Sequence, residues 1–251
     1  MQLNFTTDVR AVSCIESFST QEGGAECLQR LSEGEVHIWV TSIDHSFEGI
    51  LFASELVRCK KMKSSLARKQ FEVARKTLRY LVSCYLTLPQ EEIIFEVGAH
   101  GKPFVLGCPE FFFNIAHSKD FIVLAFSRHS IGVDLELIRP VNEIALASRF
   151  FDPGELALLK ALPQEEREQR FFQLWTAKEA ALKADGRGIA NGLKRAVSHS
   201  EKESVSSIHL DRKDWCINFW NFSKNNQHFL GAIATPFVPI VIRWHNITTK
   251  K

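Results

Sequence analysis

Gly132-Val133-Asp134-Leu135-Glu136 and, about 40 residues on, Trp175-Thr176-Ala177-Lys178-Glu179-Ala180-Ala181-Leu182-Lys183 are the two stretches on which the reading of this chain turns. The first alternates apolar and acidic side chains, so as a strand it points Asp134 and Glu136 out of one face. The second has helical spacing, which sets Trp175, Glu179 and Lys183 along one stripe, a turn apart. If the two elements meet, three carboxylates and one ammonium converge. Such a group suits a magnesium ion holding a phosphate-bearing substrate, with a base and a cation beside it. Each motif has an ordinary reading as well. An arbitrary Asp-x-Glu is usually a strand with one solvated face, and Glu179 with Lys183 is the favourable order for a helix-surface ion pair. The neighbours Ile131, Val133, Leu135 and Leu137 are apolar, however, so the strand reads as internal, where two acids need a cation, an arginine or water.

Working outward, residues 36–43 alternate and predict a strand. From 47 to about 86 the pattern is helical with a break near Ser64-Ser65; Phe71, Leu78, Val82 and Tyr85 share one face, and Arg68, Arg75 and Arg79 a neighbouring one. A strand at 93–97 leads into Gly101-Lys102-Pro103, a turn by composition. Further strands are predicted at 111–115, 121–126 and 131–136. Helices follow at 142–150, at 153–162 with Asp152 capping Pro153, and at 165–184, the last ended by Asp185-Gly186-Arg187-Gly188. Strands return near 216–221, 229–234 and 240–244. The first thirty residues carry no period that assigns them. Each half therefore holds a helical block and about three strands, dividing near 127–130 into an N-terminal half, 1–128, and a C-terminal half, 129–251.

The 251 residues are 45% apolar and 24% charged, ordinary for a globular protein, and 20 phenylalanines supply a large core. A net charge of +2 argues against a protein that coats nucleic acid. The six cysteines are scattered without a CxxC pair, which fits reduced thiols in a cytoplasmic protein better than a zinc site or disulfides. Met1–Ser13 has no apolar core of a signal peptide, and no run approaches the ~20 residues a membrane helix needs. A soluble, cytoplasmic chain is expected.

Phosphate-binding candidates lie upstream of the acids. His117 sits where Phe113-Asn114-Ile115-Ala116-His117-Ser118 runs from a strand into a turn, a place where histidine, serine and backbone N–H groups can hold a phosphate. Between Arg58 and Arg79 nine cations face a single acid, Glu72. Part of that stretch is a solvated face, but Arg68, Arg75 and Arg79 form a row suited to phosphate. Lys102, in its turn, is a further candidate.

Taken in order, Gly101-Lys102-Pro103, Phe113 to Ser118, Gly132 to Glu136, Phe150-Phe151 with Glu155, and Phe171 to Ala180 followed by Leu182 to Ile189 resemble the 4′-phosphopantetheinyl transferases, specifically the larger monomeric type that activates surfactin synthetase. The resemblance covers about residues 58–195, and its last block is the most specific. It implies an α/β fold of two similar halves, each a small antiparallel sheet on a long helix, with coenzyme A in the cleft between them. It implies transfer of the phosphopantetheine arm of coenzyme A to a serine of an apo acyl or peptidyl carrier protein, releasing 3′,5′-ADP. By match to the family, Asp134, Glu136 and Glu179 hold Mg²⁺, and Glu179 or a metal-bound water accepts the serine proton. Lys183 stabilises the departing phosphate, while His117, Lys102 and Arg75, with Arg68 as helper, grip the 3′-phosphate and pyrophosphate. A monomer is expected. The family usually has serine where this chain has Ala116, which motivates an alternative: a catalytically impaired homologue that binds coenzyme A or the carrier. A nucleic-acid module built on the basic 58–79 stretch is a second rival, opposed by the near-neutral charge and the lack of any such motif.

Overall fold

The computed structural model describes residues 6–7, 12–19, 31–45, 49–188, 192–198, 205–239 and 241–248. Ile189 and residue 240, both part of the expectations above, lie outside the described residues. In chain order the strands are β1 (Thr6–Thr7), β2 (Val12–Ser19), β3 (Glu35–Ser42), β4 (Phe95–Val97), β5 (Pro103–Val105), β6 (Phe112–Ser118) and β7 (Phe121–Ser127). They continue with β8 (Gly132–Leu137), β9 (Ala196–Ser198), β10 (Ser207–Leu210), β11 (Lys213–Lys224), β12 (Gln227–Thr235) and β13 (Val241–Thr248). The helices are α1 (Ala53–Lys61), α2 (Ser65–Leu86), α3 (Glu143–Phe150), α4 (Pro153–Ala161) and α5 (Gln164–Asp185).

Alternation along the strands sorts side chains into four layers. On β7, Ile122, Leu124 and Phe126 face α2, together with Trp39 of β3, whereas Val123 and Ala125 face the second sheet. On β8, Val133, Leu135 and Leu137 face the first sheet, which leaves Asp134 and Glu136 on the α5 side. The order is thus α2, first sheet, second sheet, α5, with an apolar core in each interval. Each sheet carries one 22-residue helix, as expected from the sequence. Ser64 caps α2 by accepting from the Ala67 N–H, and Asp152 with Glu155 forms a capping box ahead of Pro153 on α4.

The sheets do not follow the chain division at 128/129. The first runs β2-β13-β3-β7-β6, so the last strand of the C-terminal half is inserted into it, parallel to both β2 and β3. The second runs β8-β12-β11-β10-β9, with β1 from the N-terminus paired to β11. The terminal strands are exchanged, and the first sheet is mixed rather than antiparallel. The strand enters from the other sheet after Pro236 and Pro239 rather than through a hairpin, so nothing obliges it to run antiparallel.

Where the two sheets abut, β6 and β8 lie edge to edge without a backbone ladder. Asn114 Oδ1 accepts from the Val133 N–H at 2.9 Å and Ser118 Oγ from the Leu137 N–H at 3.0 Å. Both residues belong to the strand expected to present His117. Side chains here satisfy an edge that would otherwise be unpaired.

Candidate active site

Helix α5 crosses β8 at Gly132, where the helix backbone takes the place of a side chain. A Cβ there would lie 2.0 Å from the Ala180 carbonyl oxygen and 2.4 Å from the Ala184 nitrogen. This approach brings the helix-facing acids of β8 up to Glu179 and Lys183, and carboxylate oxygens of Asp134, Glu136 and Glu179 fall within 4.8 Å of one another. Gly132→Ala must push the helix off the strand. The expected cost is about 3 kcal/mol, the upper part of the range for overpacking. Chemical denaturation would measure it, and an unchanged midpoint would show that the crossing yields without strain.

The Lys183 ammonium lies 2.5 Å from Asp134 Oδ1 and 3.9 Å from Glu179 Oε2. Asp134 is only 4% exposed, and its other oxygen, Oδ2, is buried without a hydrogen-bond partner. Burial first, and then the Asp134 charge, push the Glu136 carboxyl up to about 7 and the Glu179 carboxyl up to about 8. Lys183 and a hydrogen bond from the Trp175 side chain oppose both shifts. Burial works against the Lys183 ammonium, but the carboxylates of Asp134, Glu179 and Glu136 outweigh it and raise its pKa. Trp175 is held for its task by Phe150, Phe151 and Phe171, with ring centroids 5.7, 6.4 and 5.6 Å away.

Three oxygen donors with too little positive charge among them, one orphaned and buried, fit a hard divalent cation. The absence of sulfur or imidazole from the set favours magnesium or manganese over zinc. The pH behaviour follows from the two raised carboxyls. Folded metal-free protein holds these protons more tightly than the unfolded chain, whose carboxyls titrate near 4.5, so its stability falls as pH rises from there to about 8. A cation must displace the protons, so its affinity should rise across the same window. Melting curves at about pH 6 and about pH 8.5 should therefore show a larger magnesium-induced rise in Tm at the higher pH. An equal rise at both would contradict the assignment.

A groove leads away from Lys183, the partner of Asp134. Its inner cavity, about 250 Å³, is lined by Lys183, Gly186, Gly101, Pro103, Asn114 and Ile115. An outer one of about 600 Å³ continues past Asn114, Ile115 and His117 to Phe71, Arg58 and Arg75. His117 is exposed there; partial enclosure and the nearby Lys183 charge keep its imidazole below its usual pKa. Arg75 lines the groove while donating to Glu55 Oε1 at 2.5 Å. Arg68 is exposed outside the groove lining and donates to the Met62 carbonyl.

Several expectations change. Arg79 is 1% exposed and donates to the Ile93 carbonyl and to Glu55 Oε2, so it supports the groove wall instead of facing phosphate. Phe71 lines the groove, with the Arg58 guanidinium 5.0 Å above its ring, and does not join the core. Ala116 is buried between the sheets and does not line the groove; a hydroxyl at that position would point among apolar side chains. Lys102 lines the inner cavity, but its ammonium is turned to Ser130, Ile131 and Ala184. Sequence reasoning passed over Arg58 as a groove cation and missed Glu55 as the carboxylate that neutralises the arginine row. It also missed Lys178, fully buried between Glu155 Oε2, at 2.6 Å, and the carbonyls of Leu193 and Ala196. Its adjacency to Glu179 and its place with Glu155 in the family motifs were the available signals.

A family model described as the 4′-phosphopantetheinyl transferase superfamily matches residues 130–234, the span that holds β8, α5 and the acid cluster. The chain is 37% identical over 151 residues to the 4′-phosphopantetheinyl transferase psf-1 of Bacillus pumilus, covering 57% of this chain and 64% of that protein. It is 36% identical over 172 residues to the 4′-phosphopantetheinyl transferase HetI of a Nostoc species, covering 64% of this chain and 72% of HetI. A putative 4′-phosphopantetheinyl transferase of Synechocystis, slr0495, is 34% identical over 213 residues, 78% of this chain and 85% of that protein. With matches that reach across both halves, and with the acids, the lysine and the groove in one place, the chain belongs to the 4′-phosphopantetheinyl transferase superfamily and is a transferase of that class.

Proposed function

We propose that this chain moves the 4′-phosphopantetheine arm of coenzyme A onto a serine of an apo acyl or peptidyl carrier protein, releases 3′,5′-ADP, and requires Mg²⁺. The observation that carries the reading is the acid cluster with an orphaned Asp134 oxygen at the head of a groove lined by His117, Arg58 and Arg75. Asp134, Glu136 and Glu179 are the ligands proposed for the ion, whose contribution when bound is to neutralise charge on the pyrophosphate. Glu179, ionised once the cation has displaced its proton, takes the proton from the carrier serine. The serine oxygen bonds to the β-phosphorus, the bond from that phosphorus to the bridging oxygen breaks, and the electron pair leaves with 3′,5′-ADP. Lys183 donates to the departing phosphate, and its raised pKa keeps it cationic for that purpose. His117 and Arg75 hold the 3′-phosphate and outer oxygens, with Arg58 beside them and Arg68 as an outlying helper.

Cytoplasmic residence and a monomeric state go with this reading. Free thiols at Cys59, Cys84, Cys108 and Cys216 support the first, and a cleft completed within one chain supports the second. Fatty-acid, polyketide and non-ribosomal peptide carriers all present the required serine. The impaired-binder alternative rested on Ala116, and its burial between the sheets removes that support. Intact-mass spectrometry of an apo carrier incubated with this protein, coenzyme A and Mg²⁺ is the test. A gain of one phosphopantetheine arm, lost with EDTA, is the expected result; no gain across carriers of several pathways would overturn the proposal.

A further inference from the structure

The last carbonyls of a helix have no donor within it. In α5 the Gly186 N–H takes the Leu182 carbonyl at 3.0 Å, and the Ala184 carbonyl accepts from two side chains instead: Ser130 Oγ at 2.6 Å and Lys102 Nζ at 2.8 Å. The same ammonium donates to the Ile131 carbonyl at 3.0 Å and to Ser130 Oγ at 3.4 Å. An ammonium has three N–H donors, and all three are engaged, so none is left for a phosphate oxygen. Its stem packs against the helix stop, since a Cβ on Gly186 would lie 3.0 Å from Lys102 Cδ. A cation at the negative end of a helix dipole is well placed there.

The three segments tied by this side chain are informative. Lys102 belongs to the turn between β4 and β5, in the first half of the chain. Ile131 immediately precedes β8, beside the Gly132 crossing, and Ala184 immediately follows Lys183. The ammonium therefore fixes α5 and β8 to each other at the point from which Asp134 and Lys183 reach the site. We infer that Lys102 is a positioning residue, which clamps the end of α5 to the start of β8 and so sets Glu179 and Lys183 over Asp134 and Glu136, and that it does not grip the substrate's phosphates. The inference rests on the acid cluster being the metal site proposed above. It separates the role of Lys102 from those of His117 and Arg75.

The test is Lys102→Met, which keeps the stem and removes the donors. Manganese titration of the protein without coenzyme A, followed by electron paramagnetic resonance, should show about tenfold weaker binding, the usual effect of losing a group that orients a ligand set. In steady state kcat should fall while KM for coenzyme A stays within about twofold, because a transition-state alignment and not uniform binding is lost. Unchanged manganese affinity with about a tenfold rise in KM for coenzyme A would overturn the inference and make Lys102 a phosphate ligand. If Lys102→Met does not fold by circular dichroism, Ser130→Ala decides. It removes one acceptor of the ammonium and one donor to Ala184, and should weaken manganese binding in the same direction by a smaller factor; unchanged affinity refutes the clamp. Wild-type protein that binds no manganese would sink the metal reading itself, and the split between kcat and KM would then judge the clamp alone.

Discussion

Glu179→Gln is expected to lower phosphopantetheine transfer by about 10²–10⁴-fold, the contribution of a positioned general base. The same substitution should stabilise the metal-free protein at alkaline pH. Glu179 ionises with a pKa pushed up to about 8, because burial and the charges of Asp134 and Glu136 oppose its carboxylate. Above that pH the wild-type chain carries the repulsion and the amide does not. A loss of turnover accompanied by a gain in Tm marks a group placed for chemistry at the expense of stability. Magnesium should raise the Tm of the variant less than that of the wild type, since one of three proposed ligands is gone. A rate within about tenfold of wild type would remove Glu179 from the proton transfer. A drop in Tm at alkaline pH would refute the electrostatic account of the site.

Lys178→Met is expected to have the largest effect on stability. Lys178 is fully buried, and it pairs with Glu155 at 2.6 Å while also donating to the Leu193 and Ala196 carbonyls. Glu155 in turn accepts from the Asp152 and Ser198 N–H groups. The pair thus joins α5 to the capped start of α4 and to β9. Removing one partner leaves a buried carboxylate uncompensated and two carbonyls without that donor, a loss of about 3–5 kcal/mol. For a chain of this size that is roughly a 10 °C fall in Tm, readable by calorimetry. A change of less than about 2 °C would show that water or a shifted backbone replaces the ammonium without cost. Because Glu179 is the next residue, activity should fall as well, but only in proportion to the population unfolded at the assay temperature. That distinguishes this lysine from Lys183, whose loss should reduce the rate with the fold intact.

Much of the acid cluster proposed to hold the metal was legible because its parts are local. A period of two puts Asp134 and Glu136 on one face of β8, and a helical period puts Trp175, Glu179 and Lys183 on one stripe of α5, whatever else the chain does. The glycine at 132 is also in the sequence, but its use as the crossing point depends on which helix arrives there. The arginine row shows where local reasoning stops. Arg75 and Arg79 do share a helix face, yet Glu55, on another helix, takes both guanidinium groups and turns one of them into wall.

The sequence by itself determined the helices and most of the strands, the Asp152 cap of α4, and the two faces that carry the acids and Lys183, because each follows from neighbours a few residues apart. It also carried the family motifs. The tertiary structure decided what depends on distant segments meeting. β13 enters the first sheet parallel to β2 and β3, although nothing in residues 241–248 specifies those partners. The polar first thirty residues hide β2 because its ladder is supplied by that strand from the far end of the chain. In sequence Lys102 reads as a phosphate-binding candidate and Lys178 carries no assigned role, yet folding encloses both ammonium groups, since carbonyls and a carboxylate contributed from elsewhere replace the water each would otherwise bind.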